Sequence, residues 1–182
     1  MLRRILFLLT APLVAVITFA AAASASVAPG TYGPDPGSFS SANAPGSSHL
    51  ASGTPGCTVA ANLDVTCSPF VLGGVGHTNA DVSLAASYSA IIDCFNAGTN
   101  KNNPVESHTA TFSASSSATV TSAKNGQLSV PQQSVSAFSA PQVCPNPNWT
   151  PQIRAGSLAL NSFTYTLTFA GFSSPYITIS RS

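Results

Sequence analysis

The sequence predicts an all-β domain, an antiparallel immunoglobulin-like sandwich of about 7–9 strands. Three observations carry that expectation. From Val82 to Cys94 every second residue is Val82, Leu84, Ala86, Tyr88, Ala90, Ile92 and Cys94, with Ser83, Ser87, Ser89 and Asp93 among those between. That period of two marks a strand with one buried face. Near the C-terminus Phe163, Tyr165, Leu167 and Phe169 alternate with Thr164, Thr166 and Thr168, and β-branched threonine suits the wet side of a pleated surface. No window has the period of a long helix. A closed β-barrel is the alternative architecture.

The remaining strands follow from shorter patterns. Thr58–Ala60, Asp64–Leu72, Ser107–Ala114, Ala118–Ser122, Gln127–Val130, Val135–Phe138 and Tyr176–Ser180 are the candidates. Leu158 and Leu160 fall in the opposite phase to Phe163, which predicts a bulge near Asn161-Ser162. Lys124-Asn125-Gly126 carries Asn-Gly, a strong hairpin signal.

Two segments precede the domain. Arg3 and Arg4, an apolar run from Ile5 to Ala22 and the small residues Ala23-Ser24-Ala25 have the order of a secretory signal peptide over residues 1–25. Cleavage after Ala25 is preferred to cleavage after Ala28, which would leave Pro29 at the new N-terminus. An uncleaved membrane anchor is the competing reading. Residues 26–56 are dominated by Pro, Gly, Ser and Ala, with too little apolar surface of their own to offset the entropy of ordering. They are expected to form a flexible spacer, leaving residues 57–182 as the sandwich domain.

Only 6% of the 182 residues are charged, against roughly a quarter in ordinary soluble proteins. Nucleic acid is thereby excluded as a partner, because it demands clustered Lys and Arg. Loss of Arg3 and Arg4 with the signal would take the formal net charge from +1 to a single negative charge. After Ala25 no stretch is apolar and long enough to span a membrane, so a secreted or loosely wall-associated product is expected.

Cys57, Cys67, Cys94 and Cys144 form an even set in an exported chain, for which disulfides are the default. Cys57 and Cys67 are spaced for a hairpin to close. Cys94 points inward by strand parity and is left to meet Cys144. Loop-closure entropy puts the two bridges at about 3 and about 4 kcal/mol. The spacings contain no close pair of cysteines of the kind a zinc site uses, and no cofactor is expected.

Acid–base constellations are few. Glu106 and His108 share a strand face but are expected at the rim of the sheet, since Ala110 and Phe112 continue that face inward. His77 and Asp81 bracket a turn after Gly73-Gly74-Val75-Gly76, with Asp81 a turn residue or a hydrogen-bond acceptor there. No Lys-Ser/Thr follows the glycines, so they are not a phosphate loop, and no G-x-S-x-G elbow is present. Lys101 and Lys124 both sit in Asn-rich turns, away from the buried setting that an internal Lys–Asn crosslink requires. Asn148-Trp149-Thr150 matches a glycosylation acceptor. The segment Cys144-Pro145-Asn146-Pro147-Asn148-Trp149-Thr150-Pro151, followed by Gln152-Ile153-Arg154, stands apart. Its prolines hold it extended around the single tryptophan. Trp149, Asn146, Asn148 and Arg154 are the candidate ligand contacts, with the indole stacking on a sugar. The competing reading makes Trp149 a plug beside the Cys144 bridge.

The stretch from Cys57 onward resembles an uncharacterised family of small secreted actinobacterial proteins. The resemblance rests on Cys57 and Cys67, Leu72-Gly73-Gly74-Val75-Gly76, Lys124-Asn125-Gly126 and Cys144-Pro145-Asn146 with Asn148-Trp149-Thr150. It extends to Ser162-Phe163-Thr164-Tyr165-Thr166-Leu167-Thr168-Phe169-Ala170-Gly171-Phe172. It implies export and brings no activity. The expected function is a non-enzymatic extracellular module with a binding or structural role, partnered by cell-wall polysaccharide or another envelope protein. A secreted hydrolase or inhibitor is the alternative.

Overall fold

A computed structural model describes residues 26–96, 98, 103–139 and 143–182. The expected signal peptide and Lys101 lie outside these residues. The strands in chain order are β1 (Gly30–Tyr32), β2 (His49–Gly53), β3 (Cys57–Val59), β4 (Val65–Cys67), β5 (Phe70–Gly73) and β6 (Ala80–Asn96). They continue as β7 (Glu106–Val120), β8 (Leu128–Val130), β9 (Gln133–Val135), β10 (Trp149–Ile153), β11 (Ala159–Phe169) and β12 (Ile177–Arg181). Two single 3-10 turns, Ser41–Asn43 and Ala137–Ser139, are the helical elements among the described residues.

The strands form three open antiparallel sheets, so the barrel alternative does not hold. The largest sheet is built on β6. One side of β6 pairs with β7 along its length; the other pairs with β11 and, farther on, with β10. β12 adds to β11. The smaller sheets have the orders β1-β3-β4-β9 and β2-β5-β8. They pack against the inner face of the large sheet, where Tyr88, Tyr165, Phe163, Phe169, Leu72 and Leu128 are fully buried. The alternation along β6 has the expected phase, from Val82 at 1% exposed to Ile92 and Cys94 at 0%. The register slips between Leu160 and Ser162, at the position of the expected bulge.

The sequence resolves some elements differently from the molecule. Asp64–Leu72 is two strands in different sheets, β4 and β5, separated at Ser68-Pro69. Ser107–Ala114 and Ala118–Ser122 belong to one continuous strand through Val120, because β6 offers Ala85, Leu84 and Ser83 as partners to Ser115, Ser116 and Ser117. Lys124-Asn125-Gly126 does turn tightly, with the Gly126 amide donating to Ala123 O and Gly126 at φ +74°. It joins β7 to β8, which pair in separate sheets, so it is no hairpin. Val135–Phe138 ends as a 3-10 turn after β9. Gly74 sits at φ +69°, and a Cβ there would lie 2.1 Å from the Ser47 carbonyl oxygen.

Residues 26–56 are not a free spacer. β1 pairs with β3, and β2 pairs with β5. Val27 is buried, and its amide donates to Leu160 O at 2.7 Å. Asp35 accepts hydrogen bonds from the Ser180 amide and hydroxyl and forms an ion pair with Arg181 at 2.6 Å. Composition weighs only the segment's own apolar surface. Here main-chain pairing supplies the ordering free energy, using edge groups that would otherwise need partners.

Both disulfides pair as the spacing and parity argument expects. Cys57–Cys67 joins directly opposed residues of β3 and β4, with Cα atoms 3.9 Å apart. Cys94–Cys144 ties β6 to the proline-rich segment. No helix among the described residues is long and apolar enough to cross a membrane.

Candidate functional site

The candidate loop becomes structured where β10 adds to the distal end of β6. Trp149 lies opposite Asn96, Pro151 opposite Cys94 and Ile153 opposite Ile92. Period two therefore puts Trp149, Pro151 and Ile153 on the inner face, and Gln152 on the face of Asp93. A second, smaller core forms there. Ala90, Ile92 and Cys94 are buried beneath Trp149, Ile153, Cys144, Ala110, Phe112 and Leu158. Trp149 is half-buried, with part of its surface on the Cys94–Cys144 cluster and part in solvent. The plug and the exposed platform are thus both partly realised in one side chain.

The two asparagines serve the loop differently. Asn146 Oδ1 accepts from the Asn148 amide at 2.9 Å, and Asn146 O accepts from the Trp149 amide at 3.0 Å. That local turn launches β10 and occupies the Asn146 carbonyl groups. Asn148 is exposed.

Arg154 closes the strand. Its amide donates to Ile91 O, and its guanidinium forks onto Asp93, Nε to Oδ2 at 3.0 Å and Nη2 to Oδ1 at 2.7 Å. Ser107 Oγ donates to the same carboxylate at 2.6 Å and accepts from Arg154 Nη2. Hydrogen bonds from Arg154 and then Ser107 hold the Asp93 carboxyl below its ordinary range, and Asp93 raises the guanidinium in turn. The bidentate geometry fixes one edge of an otherwise mobile side chain.

Arg154 also lines a groove of about 310 Å³ with Leu63, Phe138, Ile153, Leu158 and Asn62. Phe138 is 65% exposed at its mouth. The groove was not legible in the sequence, because Leu63 and Phe138 come from separate turns. Trp149 shares the Ile153 face, two pleats along the same strand.

Other candidates stay apart. Glu106 and His108 lie opposite Cys94 and Ile92, on the same face as Trp149 and Ile153 but across β6 from them. Asp81 is in β6 and accepts from Thr119 Oγ1 across the sheet, while His77 is exposed. Among the described residues no three His, Cys, Asp or Glu side chains gather as metal ligands. No family model, curated protein or solved structure matches the chain.

Proposed function

We propose that the chain is a secreted, non-enzymatic sandwich module of immunoglobulin-like type, freed by cleavage of residues 1–25. In this reading it is held at the cell envelope by binding wall polysaccharide. The end of the sandwich that carries Trp149, Phe138 and Arg154 makes the contact. The observation that carries the reading is the groove itself: apolar side chains of Leu63, Ile153 and Leu158 with the exposed ring of Phe138. Apolar walls with a few placed polar groups are the usual make-up of a ligand site. An aromatic ring suits the C–H face of a sugar, and the main-chain groups of Arg154, Ala155 and Gly156 at the groove's edge are there to meet its hydroxyls.

The use of the carboxylates supports binding over acid–base catalysis. Of five acidic residues, Asp35, Asp64, Asp81 and Asp93 each accept a hydrogen bond within the fold. Two disulfides accord with an oxidising compartment.

The test pairs two assays on the purified, oxidised chain: retention on washed cell walls or chitin-like polysaccharide, and turnover of generic hydrolase substrates. Retention that survives removal of wall protein, without turnover, is expected. Retention lost with the wall protein would assign the groove to an envelope protein. Turnover without retention would replace the module with a hydrolase.

A further inference from the structure

The free edge of the large sheet is built unlike the other edges. β1, β8 and β9 have three residues each, β2 is broken by a register shift between Leu50 and Ser52, and β10 contains Pro151. β12 is covered: the Asp35 amide donates to Thr178 O, and the Thr178 and Ser180 amides donate to Ser38 Oγ and Asp35 Oδ2. Short strands, bulges, proline and covering segments are the devices that keep sheet edges from pairing with other chains.

β7 has none of them. It runs 15 residues in unbroken register with β6, without Pro, Gly, Lys or Arg. Among the described residues no backbone hydrogen bond leaves β7 on the side away from β6. Ser116 donates to Gln133 of β9 and Phe112 packs inward on Tyr88, but among the described residues no strand pairs with the outer edge of Glu106–Ser113.

We propose that the Glu106–Ser113 edge pairs antiparallel with the same edge of a second copy, forming a two-fold dimer with one sheet continuous across the interface. The residue pattern selects this occupant. Pairing centred on Ala110 sets Ser107 opposite Ser113 of the other copy and Thr109 opposite Thr111, on the hydroxyl face. On the other face it sets His108 opposite Phe112 and Ala110 opposite Ala110. Cross-strand hydroxyl pairs are favourable, and directly opposed like charges are not. The ionisable groups here, Glu106 and His108, are carried apart by the two-fold axis, so no like charges oppose. The near-neutral exported chain adds little long-range repulsion between copies. An isologous interface of this kind closes on itself and does not propagate into a fibre.

The mass of the exported, oxidised chain is measured by light scattering over a concentration series, with amide exchange read at residues 106–113. A monomer–dimer equilibrium is expected, with those amides protected as dimer accumulates. Thr109→Lys and, independently, Thr111→Lys bring cations together near the axis and should return the mass to monomer, with the melting temperature of the dilute, monomeric wild type. Thr164→Lys, exposed on β11 of the same sheet, should leave the dimer intact. A monomer at every concentration, or a dimer indifferent to both edge lysines, would overturn the proposal.

Discussion

Arg154 grips Asp93 with two hydrogen bonds across 61 positions of sequence, and Ser107 from a third strand completes the contact. The arrangement pins the end of β10 to β6 and β7 together. In a pH titration followed by NMR, the Asp93 carboxyl should protonate below the ordinary aspartate range. In Arg154→Gln it should move back up toward that range. Because the folded pKa is the depressed one, the contact is intact above the unfolded aspartate value of about 3.9 and is lost as pH falls through the folded value. An Asp93 titration unchanged by Arg154→Gln would show that the ion pair does not form in solution.

Asp35 anchors the N-terminal segment. Burial would raise its carboxyl, but the Ser180 hydroxyl, Arg181 and the Ser180 amide together hold it below the usual value. Asp35→Ala removes those contacts, partly exposed as they are, and should cost about 1–2 kcal/mol. It should also speed proteolysis between residues 26 and 56. Acid should loosen the same segment in the wild type as Asp35 protonates. Rapid cleavage there in the wild type at neutral pH would restore the free spacer.

That segment marks where the sequence was silent. Alternation on Val82–Cys94 and Phe163–Phe169 was readable because each strand buries one whole face, and the slip at Leu160–Ser162 was readable as a change of phase. β1 and β2 carry no such signature. Their positions come from main-chain pairing with β3 and β5, which any residue but proline can make. At the site, the loop from Cys144 to Arg154 stood out by its prolines and tryptophan. Asp93 as the partner of Arg154, and Leu63 and Phe138 as groove walls, depend on distant contacts that leave no local pattern.

The core tyrosines give an alkaline signature. Burial, with a smaller contribution from the Asp64 charge, pushes the Tyr88 hydroxyl up to about 12, and burial pushes Tyr165 higher still. Both folded values are raised above the free tyrosine value of about 10. Their contribution to stability is therefore complete below that pH and declines as pH rises toward the folded values. Ultraviolet titration should show a late phase that coincides with unfolding and shrinks in Tyr88→Phe. Full ionisation of all tyrosines near the free value, with the fold intact, would contradict the burial of the β6 and β11 inner faces against the smaller sheets.

Trp149 should behave as a half-buried residue. Truncation of a fully buried Trp costs about 3–5 kcal/mol, so Trp149→Ala is expected to cost less, about 1–3 kcal/mol, and still to weaken wall retention. With one Trp in the chain, fluorescence reads the site directly, and iodide should quench it partially. Quenching as complete as in the unfolded chain would remove Trp149 from the Cys94–Cys144 core. No quenching at all would remove it from the binding surface.

The most direct measurement is a chemical-shift map of the isotopically labelled, oxidised chain titrated with solubilised wall polysaccharide. Binding at this end of the sandwich should move the amides of Leu63, Phe138 and Ile153, which line the groove, and the Trp149 indole N–H on the same face, in a saturable way. The outward amides of β11 and β12 should stay still. Shifts confined to those outer strands, or no saturable shift at the indole and the groove amides, would contradict the assignment of this end of the sandwich as a binding site.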